Sequence, residues 1–105
     1  MSFLQISTTC DDRDVIEQIS NHLVERSLAA CCQIEGPITS VYRWQNKVET
    51  ATEFRCLIKT TTARYPDVAA AILQLHSYEQ PQITAIAISN IDGGYADWVR
   101  RNTES

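Results

Sequence analysis

Apolar and β-branched residues crowd Phe3 to Thr9, where Phe3, Leu4 and Ile6 are followed by Thr8 and Thr9 before Cys10-Asp11-Asp12. This pattern predicts a strand running into the start of a helix. From Asp12 to about Ser27, Val15, Ile16, Ile19, Leu23 and Val24 recur at spacings of three and four. Asp14, Glu17, Glu25 and Arg26 fall on the opposite face, so this stretch predicts an amphipathic helix. Ala29 to Trp44 reads as a long extended segment interrupted at Gly36-Pro37, where proline removes a ladder donor. A bent strand at a sheet edge fits that interruption.

Gln45-Asn46-Lys47 is a short polar break, and Asn tolerates the left-handed backbone of a tight hairpin. In the returning strand Phe54, Cys56 and Ile58 alternate with Glu53, Arg55 and Lys59, the period of a strand with one buried face; Leu57 is the exception. Tyr65 to His76 sets Val68, Ile72 and Leu75 on one helical stripe, with Pro66 confined to the first turn. Beyond Pro81, Ile83 to Ile91 is apolar at most positions and predicts a strand covered on both faces, more cover than two helices supply. Gly93-Gly94 breaks the chain, and Tyr95, Trp98 and Val99 predict a short terminal helix ending near Arg101.

The order strand, helix, strand, strand, helix, strand is that of the ferredoxin-like βαββαβ fold. The expected fold class is α+β: one domain over residues 1–105, an antiparallel sheet with two helices on one face, and a short C-terminal helix. The hairpin of strands two and three is too long for a small sheet, roughly 40 Å if each arm holds about a dozen residues. Tyr42 and Trp44 fall on one face near its tip, and large aromatics projecting from a small domain mark a protein interface. Self-association through the hairpin is therefore expected.

Charge narrows the partners. Thirteen acidic against nine basic residues leave a net charge of -4, and only Arg100 and Arg101 adjoin, so the basic face that nucleic acid requires is missing. The apolar runs are too short to cross a bilayer, and the first residues lack the basic start and apolar stretch of a leader; the expectation is a cytosolic chain. Cys10, Cys31, Cys32 and Cys56 are then expected as thiols. No Cys-x-x-Cys pair exists, and adjacent Cys31 and Cys32 point to opposite faces of a strand, which removes zinc-finger readings.

The strings Glu25-Arg26-Ser27-Leu28-Ala29-Ala30-Cys31, Ser40-Val41-Tyr42-Arg43-Trp44, Ile58-Lys59-Thr60 and Leu75-His76-Ser77-Tyr78-Glu79-Gln80-Pro81, in this order, make the chain resemble the CutA divalent-cation-tolerance family over nearly its whole length. The resemblance implies a ferredoxin-like subunit of a homotrimer whose hairpins reach across to neighbours, similar in architecture to the PII signalling proteins. It also implies tolerance of divalent metals, copper in particular. In copper-binding members the proposed ligands are a cysteine ending the first strand and histidines just before a Pro-Tyr step. Cys10 and His76 occupy those places, with Glu79 as a helper; Leu75 stands where a second histidine occurs and Ser77 replaces a proline.

Imidazole suits copper when a further group holds its other nitrogen, whereas a histidine at a helix end also serves simply as a cap. Cys10 precedes the positive end of a helix, where a thiolate is favoured. Cys32 and Cys56 read as small core hydrophobes, and His22 lies on the polar side of the first helix. A cleft between subunits, lined by Cys31, Arg43, Trp44, Lys59 and Tyr78, is the alternative site, and would serve a PII-like module binding a small molecule or protein partner. The sequence lacks a nucleophile elbow, a phosphate-cradling glycine loop and a His-Glu-x-x-His motif, so catalysis is not expected.

Overall fold

The computed structural model describes residues 2–104. Strand β1 (Phe3–Cys10) leads into α1 (Arg13–Glu25), and the long strands β2 (Cys31–Trp44) and β3 (Lys47–Thr61) follow as a hairpin. A 3-10 turn (Thr62–Arg64) opens α2 (Tyr65–Leu75), which is followed by β4 (Thr84–Ala87) and α3 (Gly93–Arg101). The sheet order is β2-β3-β1-β4 and every pairing is antiparallel, the ferredoxin-like arrangement expected.

Local chemistry sets the boundaries. The Asp12 carboxylate accepts from the Asp14 backbone N–H and caps α1, while Ser27, at φ 57°, takes the left-handed conformation that ends it. Gln45 and Asn46, at φ 50° and 65°, make the two-residue turn between β2 and β3, the form with positive φ at both central positions. In the register, Glu35 pairs with Arg55 and Ile38 with Glu53, so Gly36-Pro37 is a bulge. Gly36 sits at φ 146°, and a Cβ there would lie 2.8 Å from Phe54 Cδ1, so only glycine fits.

One face of the sheet carries Ile6, Cys10, Cys56 and Ile58, and against it pack Ile16, Ile19 and Leu23 of α1 and Val68, Ala71 and Ile72 of α2. Each fully buried isoleucine or leucine contributes about 1.5–3 kcal/mol relative to exposure. The opposite face is much less covered: Gln5, Arg55, Leu57 and Lys59 are half-buried. Burial, with a lesser contribution from Cys31, holds the Tyr95 phenol of α3 above its usual value.

Two expectations change. β4 is only four residues, sits at the sheet edge, and is exposed throughout, with Ile86 66% accessible, whereas the sequence pattern predicts a longer strand covered on both faces. Among the described residues nothing lies over it. β2 starts at Cys31 rather than Ala29, because Ala29 and Ala30 turn into the sheet, where Ala30 N–H donates to the Lys59 carbonyl.

β1 pairs with β3 only as far as Phe54, so the hairpin runs on beyond the sheet as a two-stranded arm from Ile38 to Glu53. Val41, Tyr42, Trp44 and Val48 are all exposed on it.

Candidate functional site

Where the arm leaves the sheet, the end of β1 and the segment after α2 meet it and form an open cleft of about 740 Å³. Ser40, Tyr42, Trp44 and Glu53 line it from the arm, and Thr9 and residues 78–82 line it from the body. Pairing of Ile38 with Glu53 and Tyr42 with Glu49 puts Ile38, Ser40, Tyr42 and Trp44 on one face with Glu53, the face that Thr9 also occupies. Two-residue periodicity thus aims both aromatics and the carboxylate to the same side.

Glu53 is 5% exposed. The Tyr78 hydroxyl donates to its Oε2 at 2.7 Å and accepts from the Asp11 N–H at 2.9 Å, so the phenol ties the arm to the end of β1. Burial, aided by the Glu53 carboxylate, raises the Tyr78 phenol well above its usual value and keeps it a neutral donor. Alternation along β3 places Glu53 with Arg55 and Lys59, which reads as a wet face. What buries it is a tyrosine 25 residues further along the chain, and no local signal in the sequence reports such a partner.

His76 forms the C-cap of α2 and is 9% exposed. Its Nε2 lies 2.8 Å from the Thr9 carbonyl, and its Nδ1 lies 3.0 Å from the Tyr78 N–H. A carbonyl only accepts and an N–H only donates, so the ring is the tautomer with hydrogen on Nε2, and both nitrogens are engaged. Cys10 is fully buried with Sγ 3.4 Å from Ser77 Oγ. Glu79 is exposed at the cavity rim. Cys10 touches Ser77 and His76 touches Thr9, but among the described residues no group of three His, Cys, Asp or Glu side chains converges as a metal nest. A copper ion there would have to displace the His76 hydrogen bonds, so the donors do not form a preassembled site.

The second predicted set divides. Arg43, Trp44 and Tyr78 line the cavity. Cys31 and Lys59 pair with each other far down the sheet, where the Lys59 ammonium donates to Gln33 Oε1 at 2.8 Å. Cys32 and Cys56 face the core, where a hydrogen bond between the two thiols, reinforced for Cys32 by burial, drives the Cys32 thiol up and Cys56 down. Ser20 Oγ adds a contact to Cys56 Sγ at 3.1 Å.

Residues 4–102 match the family model of the CutA1 divalent ion tolerance protein. The divalent-cation tolerance protein CutA of Thermus thermophilus is 40% identical over 95 residues, 90% of this chain and 92% of that protein. Human protein CutA is 34% identical over 92% of this chain, which spans 54% of the human protein's length. Among solved structures, the CutA1 of Thermus thermophilus superposes with a TM-score of 0.94 at 37% identity, covering 97% of this chain and 99% of that one. CutA of Xylella fastidiosa gives 0.95 at 33% identity, covering 99% of this chain and all of its own. On these grounds the chain belongs to the CutA1 divalent ion tolerance family.

Proposed function

We propose that this protein acts in the cellular response to divalent cations as a non-enzymatic, cytosolic homotrimer whose cavity at the base of the hairpin arm binds a small ligand, so that its effect on metals is indirect. The observation that carries this reading is the cavity itself: a concave space of ligand size with aromatic walls and one deeply placed carboxylate. Trimer formation is supported by exposed Val41, Tyr42, Trp44 and Val48 on the arm, by uncovered β4, and by the poorly covered second face of the sheet.

Direct copper binding at Cys10, His76 and Glu79 is the second reading, favoured by the proximity of Cys10 to the segment holding His76. Copper calorimetry on the reduced, metal-free protein beside a Cys10→Ser, His76→Ala double variant separates the two. The indirect reading expects no saturable heat that the double variant abolishes, and a site lost with those side chains would overturn it. Light scattering at micromolar concentration tests the trimer: a mass of one chain, 11.9 kDa, would refute it.

A further inference from the structure

The side of the sheet that faces the helices holds a second cluster of polar side chains, apart from the cleft, whose Thr9 and Glu53 lie on the opposite side. Thr8 and Cys56 stand directly opposite each other on β1 and β3. Cys32 of β2 is the diagonal neighbour of Cys56, since Cys32 pairs with Ile58 and Ile34 with Cys56. From α1, Ser20 Oγ comes within 3.1 Å of Cys56 Sγ. Thr8 and Cys56 are fully buried, and Cys32 is half-buried on the outermost strand of the chain's own sheet.

Every hydrogen in this cluster has an acceptor but one. The Ser20 hydroxyl gives its single hydrogen to the Ile16 carbonyl at 2.8 Å, so in the contact with Cys56 the thiol is the donor. Cys32 in turn donates to Cys56 Sγ. Thr8 Oγ1 is left over, the buried side-chain oxygen without a partner among the described residues. A buried hydroxyl left unpaired is destabilising. A thiolate at Cys56 would give it an acceptor, which a thiol already engaged by Cys32 does not.

The donor set selects the ion. Hard cations need several oxygens and structural zinc needs four ligands, whereas no third His, Cys, Asp or Glu joins the two thiols among the described residues. Cuprous and silver ions are soft, favour thiolates and are complete with two in a line. The spacing agrees. Diagonal cross-strand neighbours stand about 7–8 Å apart, beyond the Cα separation of about 4.4–6.8 Å that a disulfide spans. Two metal–sulfur bonds of about 2.3 Å hold the sulfurs about 4.6 Å apart, against about 2 Å in a disulfide, and so suit the wider pair.

We propose that Cys32 and Cys56 bind a soft monovalent cation of the cuprous and silver class as a two-coordinate dithiolate, with the Thr8 hydroxyl donating to Cys56 Sγ. Two S–H bonds break, two metal–sulfur bonds form, two protons leave to solvent and no electron is transferred. The bound unit carries one negative charge, which the Thr8 hydroxyl dipole helps to offset. All of these side chains come from one chain, on the side away from the cleft and from the open face of the sheet, so association through those surfaces leaves the site intact. The small-ligand reading of the cleft neither supports nor requires it.

Silver(I) is the probe, offered to the reduced, metal-free protein in excess glutathione, a single thiol that strips ions from isolated cysteines but not from a chelating pair. Native mass spectrometry is expected to show one silver ion per chain with two hydrogens lost, in the unaltered protein and in Cys31→Ser alike, and no retained zinc when zinc(II) replaces silver. Cys32→Ala and Cys56→Ala should each lose the ion. Should Cys56→Ala not fold, Cys32→Ala, at the half-buried position, decides. Thr8→Val should weaken retention at least tenfold in the glutathione competition, while the urea midpoint of the metal-free protein does not fall, because the hydroxyl has no partner to lose. No silver retained by the unaltered protein, silver retained undiminished by Cys32→Ala, or silver lost in Cys31→Ser would overturn the site. Thr8→Val binding as tightly as the unaltered protein would overturn the part given to Thr8.

Discussion

Replacing His76 by alanine separates a structural role from a ligating one. The imidazole donates to the Thr9 carbonyl at 2.8 Å in a buried setting and accepts from the partly buried Tyr78 N–H at 3.0 Å. Truncation strands both. A buried carbonyl without a partner costs about 1–3 kcal/mol, and a hydrogen bond whose donor regains some water is worth about 0.5–1.5 kcal/mol. The sum is about 3 kcal/mol per chain, with the space left by the ring acting in the same direction. With a urea dependence of about 1–3 kcal/mol per molar, the unfolding midpoint should fall by about 1–3 M. Circular dichroism at one fixed chain concentration, in chelator and reductant, measures it, since any assembly makes the midpoint concentration-dependent. A shift worth less than about 0.5 kcal/mol would refute the reasoning, because that is the range of a substitution on an open surface.

Further outcomes follow from other parts of the fold. Gly36→Ala places a methyl group against Phe54 in a backbone conformation that L-residues avoid, and should cost about 2–4 kcal/mol in the same unfolding assay. Tyr78→Phe removes the hydroxyl that bridges Glu53 and Asp11, and should cost about 1–2 kcal/mol near neutral pH. Because the folded state raises the Tyr78 phenol, its contribution is complete below the ordinary tyrosine value of about 10 and declines as pH rises past it, where the unfolded chain loses its proton first. Tyr78→Phe should therefore flatten the alkaline loss of stability, leaving the smaller share due to Tyr95; an unchanged profile would contradict the assignment. Asp12→Ala removes the cap of α1 and should cost about 1 kcal/mol, read in the urea midpoint.

Most of the sheet-and-helix framework is legible because each element repeats at its own period. Val15, Ile16, Ile19 and Leu23 trace α1, and Phe54, Cys56 and Ile58 trace the core side of β3. The exposed β4 is misread for a physical reason: an apolar run reports that a strand demands cover, not which chain supplies it. The site is legible only in part. The end of β1 abuts the segment following α2, so that Thr9 meets His76, Cys10 meets Ser77 and Asp11 meets Tyr78. That both imidazole nitrogens are occupied depends on Thr9 and the Tyr78 backbone, neither of which shows in a residue pattern. Lys59 and Cys31 fall outside the cavity, since strand length carries them to the far end of the sheet. Glu53 escapes notice because a charged residue at an alternating position has the pattern of any wet face.

The arm from Ile38 to Glu53 has the third strand β1 beside it only below its base. A two-stranded ribbon standing alone is marginally stable in water. Amide hydrogens in the arm of an isolated chain should therefore exchange through local opening, orders of magnitude sooner than those of β1, whose release requires global unfolding. The body and the arm are in this sense separable. Joining Ile38 to Glu53 through a short turn would delete the ribbon without touching Ile6, Ile58 or the helices packed on them, and the shortened chain should still fold around that core.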